Sequence, residues 1–239
     1  MHLRIPALLA LLSGCTFSTV RSAEVYPGLS LSVQASTTTP PGEDVYWFSA
    51  YDCHSCNKPV TALYTELTLG SVNPNGTRGR ELSAGLDGFV PFLGAYAQLG
   101  KTNRSVYGIG GRLGLPIISW STSQVYGRYD RLLGPGQRLL LNPAVVVHWG
   151  NSPNGENPAH FVGLSQGVGV ELEGNRVSFI PAASVVALRG ERSSYGTSDG
   201  PFTAAFATAS VAVVFHRKRS PAPPPVPAHP AEPLTAPVP

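Results

Sequence analysis

The sequence is poor in charged residues and has no long apolar run. Only 13% of its 239 residues are Asp, Glu, Lys or Arg, against about 25% in an average soluble domain. The net charge of +3 is small and scattered, which argues against a nucleic-acid-binding surface. No stretch of about 18 apolar residues occurs, so the sequence predicts no transmembrane helix. A membrane-spanning chain of this kind would have to be a closed β-barrel, which pairs its own backbone polar groups in lipid.

Glycine and proline are abundant, at 26 and 23 residues. Low charge with many glycines suits a β-protein whose outer surface does not face water. Apolar residues alternate with small or polar ones along most of the chain, a period of two that predicts strands. Val162 to Leu172 shows this alternation, and Leu139 to Trp149 puts Leu139, Leu141, Val145, Val147 and Trp149 on one face. The sequence therefore predicts an all-β domain.

Ten segments carry the strand pattern, and most are nine residues or longer. A tilted strand that crosses a bilayer needs about 9–11 residues. The predicted segments are 29–35, 45–51, 60–69, 82–99, 106–115, 122–132, 139–149, 161–172, 177–188 and 203–215. For the long segment 82–99, a break near Pro91 is the alternative. We expect an antiparallel up-and-down β-barrel of the outer-membrane type with about ten strands, eight being the alternative count.

The predicted connections differ in length. Short turns are expected at 53–57, 100–104, 134–136 and 173–175, and longer loops at 71–79, 150–158 and 189–201. Short turns at one end and long loops at the other are typical of outer-membrane barrels. An even strand count then places both termini at the periplasmic, short-turn end. Trp120 and Trp149 adjoin long connections, where an aromatic girdle is expected.

The N-terminus has the layout of an export signal, with a short apolar run from Ile5 to Leu12 behind a single arginine, Arg4. The stretch Leu12-Ser13-Gly14-Cys15 resembles a bacterial lipobox. That resemblance implies that Cys15 becomes the first mature residue and carries lipid, and Thr16 after it implies the outer membrane. The alternative is an ordinary secretory signal cleaved after Ser22 or Ala23.

The chain has three cysteines, an odd count for an exported protein. Lipidation of Cys15 would leave Cys53 and Cys56 as a pair in the motif Cys-His-Ser-Cys. A redox centre or half of a zinc site would fit this spacing, but no second ligand pair is present. A disulfide that staples a turn in an oxidising compartment is the favoured interpretation. We expect no metal and no cofactor.

Several charged side chains fall on the face of the strands that carries glycine and serine. The six are Glu66, Asp87, Arg112, Arg128, Asp130 and Glu171. Because buried charges need partners, we expect them to form a salt-bridge network across a narrow lumen. Such a network would plug the barrel, or line a gated pore or a small-ligand site. Alternating strands also fit a lipid-tethered soluble periplasmic β-barrel or sandwich that binds a ligand.

The end of the chain divides into a strand and a tail. Val211, Val213 and Phe215 alternate toward a terminal aromatic, which resembles the C-terminal assembly signal of outer-membrane barrels. Residues 217–239 follow it and are rich in proline, as expected for an extended, disordered tail. The predicted organisation is an export signal at 1–22, a barrel at 24–216 and this tail.

One motif indicates chemistry. His148-Trp149-Gly150-Asn151-Ser152 distantly resembles the His-x-Ser-Asn stretch of the lipid A deacylase family, which implies a lipid-modifying hydrolase. Gly150 stands at the position of that family's nucleophilic serine, so Ser152 and Glu156 would have to complete the site with His148. The main expectation remains a non-catalytic outer-membrane protein with a structural, surface or pore role. It would contact membrane lipid and present loops 71–79, 150–158 and 189–201 to a small ligand or surface partner.

Overall fold

Alternating apolar and small or polar side chains run through ten strands that pair antiparallel in chain order. The computed structural model of the chain describes residues 19–38, 60–88, 90–115, 120–150, 159–194 and 197–217. The strands are β1 Gly28–Thr38, β2 Val60–Val72, β3 Gly79–Asp87, β4 Val90–Lys101, β5 Ser105–Gly114, β6 Trp120–Gly134, β7 Gln137–Gly150, β8 Ala159–Glu173, β9 Val177–Ser194 and β10 Thr197–Phe215. Each strand pairs with the next, and β1 pairs with β10, so the sheet closes into a barrel without edges.

The predicted fold class is confirmed, an all-β antiparallel up-and-down barrel of ten strands. Among the described residues there is no helix long and apolar enough to cross a membrane. The predicted segment 82–99 is two strands and not one, because the chain turns between Asp87 and Val90, close to the alternative break near Pro91, and forms both β3 and β4. Gly88 makes this turn possible, since its φ of 61° is disfavoured for residues with a side chain. The predicted strand 45–51 lies outside the described residues.

The connections sort into two ends of the barrel. Residues 73–78, 102–104, 135–136 and 174–176 connect strands at one end, where β1 begins and β10 finishes; we call it the turn end. Residues 39–59, 88–89, 115–119, 151–158 and 195–196 connect strands at the other, which we call the loop end. Predicted loop 71–79 thus lies at the turn end, whereas predicted loop 150–158 lies at the loop end. The sequence had placed both loops at the same end, because it counted 82–99 as one strand and not as two.

The predicted loop 189–201 is also corrected. Strand β9 continues to Ser194 and β10 starts at Thr197, and the two strands pair over almost their whole length. The polar composition of this stretch suggested a loop, but polar residues form a ladder as readily when the neighbouring strand continues alongside. The hairpin is therefore longer than a bilayer crossing requires.

Large apolar side chains cover the outside of the barrel on all ten strands. The most exposed include Leu29, Leu67, Leu82, Leu93, Ile109, Val125, Val145, Leu164, Val185 and Val211. Leu164 is 66% exposed, whereas its neighbour Ser165 points inward and is 4% exposed. We call this outward surface the apolar belt.

Candidate functional site: the barrel interior

The segment that precedes β1 runs inside the barrel. Residues 20–26 are all buried, although they form no strand. Their contacts are with inward-facing side chains of β2, β4, β6, β7, β8, β9 and β10. We call residues 19–27 the inner segment. The first four of these residues belong to the part of the chain that the sequence assigned to an export signal.

Arg21 is the main charged contact between the inner segment and β2. Its guanidinium forms an ion pair with Glu66, and both side chains are almost fully buried. The same Nη1 lies 3.3 Å from the hydroxyl of Thr68. The backbone amide of Arg21 donates to Oδ1 of Asn142 on β7 at 2.6 Å. One residue therefore connects opposite walls of the barrel.

Asp130 on β6 binds the next turn of the inner segment. Its carboxylate accepts hydrogen bonds from the Ser22 hydroxyl at 2.6 Å and from the Ala23 amide at 2.8 Å. From β4, the Tyr96 hydroxyl donates to the Ala23 carbonyl at 2.8 Å, and the Gln98 side-chain oxygen accepts from the Val25 amide at 3.0 Å. Backbone groups that could not pair with a strand thus find partners inside the barrel.

Glu24 is held by two cations from different strands. Its carboxylate lies 2.7 Å from Lys101 Nζ and 2.5 Å from Arg138 Nη1. Arg138 also lies 3.9 Å from Glu171. Tyr26 extends the network, because its hydroxyl bonds to Glu171 and its ring stacks on His216 with centroids 4.1 Å apart.

Apolar packing fits the inner segment to the wall. Val20 and Tyr26 belong to a buried cluster near the turn end with Leu140, Ile180, Ala212 and Val214. Gly79 and Gly169 leave room for the segment. A Cβ at Gly79 would lie 2.8 Å from Val25 Cβ, and one at Gly169 would lie 2.9 Å from Val20 Cγ1. Such distances are too short for real Cβ atoms, so the small residues in these strands accommodate the segment.

Two arginines on the wall share one pattern of contacts, each with a carboxylate and two aromatic rings. Arg128 pairs with Glu81 at 2.9 Å, and its guanidinium lies 4.2 Å from the Tyr96 ring and 4.9 Å from the Tyr126 ring. It also donates to the Ser22 carbonyl at 3.3 Å. Arg128 thereby connects the wall network to the inner segment.

Arg112 repeats this pattern nearer the loop end. It pairs with Asp87 at 3.1 Å and lies 5.2 Å from the Tyr64 ring and 5.0 Å from the Phe92 ring. The two rings stack with centroids 5.2 Å apart. Cation–π contacts of this kind are strongest where water is excluded. On the opposite wall at the loop end, the interior is apolar, with Val146, Phe161, Val186, Leu188 and Phe206 in one buried cluster.

The structure places all six residues of the predicted lumen network in the interior, and each is buried. They do not form one cluster: Arg112 pairs with Asp87, whereas Glu66, Asp130 and Glu171 are joined through the inner segment.

Sequence reasoning missed Glu81 and Arg138, because each lies one residue before the start of a predicted strand. Extending the alternation by one position would have found both. It also missed Arg21 and Glu24, since nothing in the periodicity distinguishes an inner segment from the end of an export signal.

Several predicted positions lie outside the described residues. These are Cys15, Cys53, Cys56, Ser152 and Glu156. The backbone of His148 is in β7, where it pairs with Thr122 and Phe161, but its side chain is not among those described. The lipid attachment, the disulfide and the three-residue hydrolase site therefore stay predictions. Within the described part of the chain, no three His, Cys, Asp or Glu side chains are grouped as metal ligands.

Comparison with known proteins adds nothing to the fold described above. No family model matches the chain, and no curated protein matches it. Among solved structures, a bacterial polysaccharide outer membrane secretin is similar over 81% of this chain and 100% of its own, with 7% identity and a TM-score of 0.23. A structure described as asymmetric conductivity of engineered proteins is similar over 79% of this chain and 99% of its own, with 7% identity and a TM-score of 0.18. At these TM-scores, neither similarity carries an argument about this chain.

Proposed function

We propose that this protein is a bacterial outer-membrane β-barrel with a structural or surface role and no catalytic activity, closed by its own inner segment. The observation that carries the proposal is that polar and apolar side chains are distributed in the opposite way to those of a soluble protein. Large apolar side chains are exposed on every strand, while charged side chains are buried inside. An exposed apolar surface that surrounds a molecule marks contact with a membrane, because soluble monomers rarely expose large contiguous apolar patches.

The same observation disfavours the soluble periplasmic alternative. A soluble barrel or sandwich buries its apolar face and turns its polar face to water. Here Leu164, Leu82 and Leu113 are each more than half exposed, whereas Glu171 and Asp130 are almost completely buried. In water, each exposed leucine would forgo up to about 1.5–3 kcal/mol of burial free energy. In lipid, the same side chains are in their preferred solvent.

The closed interior supports a structural role rather than an open pore. The inner segment contacts side chains of seven strands and lies against Gly79 of an eighth, β3, and its charges are paired with those of the wall. A narrow barrel leaves little room beside such a segment. We therefore propose that the intact protein does not conduct ions at a steady level, and that the loop end, with connections 39–59 and 151–158, faces the cell exterior.

The position of the inner segment also favours lipidation at Cys15 as part of this proposal. Val20 packs with Leu140 and Val214, near the turn end, which would be periplasmic. Thr19 is four residue steps from Cys15, a distance that can extend to about 14 Å at roughly 3.5 Å per step. Cleavage after Ser22 would remove Arg21 and leave the buried Glu66 without that partner. Processing at Cys15 retains every contact of the inner segment.

The membrane location is tested by gel mobility of detergent-extracted protein, unheated against boiled, together with urea extraction of membranes. A folded membrane barrel resists detergent because its backbone hydrogen bonds close on themselves. We expect a mobility shift on heating and retention in urea-washed membranes. A protein that shows no shift and is released by urea would be a tethered soluble domain, and the proposal would be wrong.

The anchor is tested separately by metabolic labelling with a fatty acid and by the mass of the mature N-terminus. We expect label on the wild type and none on Cys15→Ala, with a mature chain that begins at residue 15. Label that persists in Cys15→Ala, or a chain that begins at residue 23, would refute the lipobox, whereas the membrane location is judged independently by the heat-dependent mobility.

A further inference from the structure

An apolar groove is present on the outside of the barrel across β4, β5, β6 and β7. Its volume is about 530 Å³. The lining includes Leu93, Ala95, Gly111, Leu113, Val125 and Val145. Gly111 and Ala95 are paired neighbours and form a shallow floor, because neither carries a long side chain. The leucines and valines on either side rise above this floor and form the walls.

The groove coincides with a break in the strand pairing. Strands β5 and β6 pair from Ser105 and Arg131 as far as Arg112 and Gln124. Beyond that point β5 continues to Gly114 beside β4, and β6 continues back to Trp120 beside β7. The inward-facing Arg112 and Gln124, which form the last pair, also border the groove. The pairing between these two strands therefore ends in the half of the barrel nearer the loop end.

We propose that this groove binds the acyl chain of a single membrane lipid. This inference rests on the proposed membrane location, since the groove would otherwise face water. Its lower part is apolar and continuous with the apolar belt. Toward the loop end it reaches Ser123, beyond the last pair of β5 and β6. The acyl chain of a lipid matches this lining, because almost all of it is apolar.

The position of the groove identifies which lipid leaflet supplies the ligand. The groove lies in the loop-end half of β5 and β6, which the proposed orientation places in the outer leaflet. The lipid on Cys15 would be inserted at the opposite, periplasmic face.

Gly111 offers a direct test. A Cβ at this position would meet only the Gln124 carbonyl oxygen, at 3.5 Å, which is an ordinary contact. Gly111→Phe is therefore compatible with the barrel and places a ring in the groove. Ala183→Phe is the matched control, since Ala183 is also exposed on the outer face, on β9. Heat-dependent gel mobility shows whether each full-length variant has folded.

The measurement is native mass spectrometry of protein extracted from its own membranes and washed in a second detergent to remove loosely held lipid. We expect one lipid bound to the wild type and to Ala183→Phe, and a loss of at least tenfold in bound lipid for Gly111→Phe. The added mass distinguishes a phospholipid from an acylated glycolipid.

Other results would overturn the inference. Wild-type protein that folds but carries no lipid, or a folded Gly111→Phe variant that keeps it, would exclude this groove as the site. A dimer of the wild type that Gly111→Phe converts to monomer would assign the groove to a second copy. These outcomes are separable from failure of the membrane location, because that failure abolishes the heat-dependent mobility of the wild type.

Discussion

Replacing Arg21 with methionine should destabilise the barrel from the inside. The side chains of Arg21 and Glu66 are 5% and 4% exposed, so the variant leaves a carboxylate buried without its guanidinium. Removing one partner of a buried ion pair typically costs about 3–5 kcal/mol. The hydrogen bond from the Arg21 amide to Asn142 does not depend on the side chain and should persist. We therefore expect a free energy of unfolding lower by about 3–5 kcal/mol.

The assay is equilibrium unfolding in urea of protein reconstituted in lipid vesicles, followed by tryptophan fluorescence. Arg78→Met is the control, because Arg78 is exposed in the turn between β2 and β3 and its loss should change stability by no more than about 0.5 kcal/mol. The double variant Arg21→Met/Glu66→Leu should recover most of the loss, since an apolar pair can replace a buried ion pair. Equal stability of Arg21→Met and Arg78→Met would refute the reasoning.

Three further predictions follow from the same contacts. Gly169→Leu should displace the inner segment, because its Cβ would lie 2.9 Å from Val20 Cγ1. Added protease should then cut this variant within residues 19–27, as mass spectrometry of the fragments would show, whereas the control Gly111→Leu should resist cleavage there. Arg128→Lys keeps the charge beside Glu81 but loses the stacking on Tyr96 and Tyr126; unfolding in urea should show a loss of about 1–2 kcal/mol, and an unchanged midpoint would contradict it. Leu164→Arg, on the outer face of β8, should lower the free energy of unfolding in vesicles by about 2–4 kcal/mol. Leu172→Arg, near the end of that strand, should lower it by about 0–1 kcal/mol. Equal losses would contradict the depth in the membrane that we assign to the apolar belt.

The strand periodicity was sufficient to predict the barrel, because the outside and the narrow interior carry opposite chemistries on alternate residues. It failed at Gly88, where the outward positions change from even residue numbers (Leu82, Leu86) to odd ones (Leu93, Leu99) and the chain reverses. That one error moved loop 71–79 to the wrong end. The strand count was still ten because the predicted strand at 45–51, which the described residues do not include, took the place of the one lost at Gly88.

The contents of the interior were predictable only in part. Glu66 and Glu171 lie on strands with clear alternation, so their inward position follows from the sequence. Their partners do not, because Arg21 and Tyr26 come from a segment without periodicity that is placed by contacts distant in the chain. Sequence patterns report the face on which a side chain lies. They do not report which free backbone segment will occupy a cavity that several strands form together.

The central claim, a barrel with lipid outside and its own chain inside, is tested most directly by a nitroxide label at Leu164. This side chain is 66% exposed at the middle of β8. In vesicles, the collision rate of the label with oxygen, which concentrates in lipid, is compared with the collision rate of the label with a water-soluble nickel chelate. The account predicts frequent collisions with oxygen and few with the chelate. Frequent collisions with the chelate would place the apolar belt in water and contradict the account.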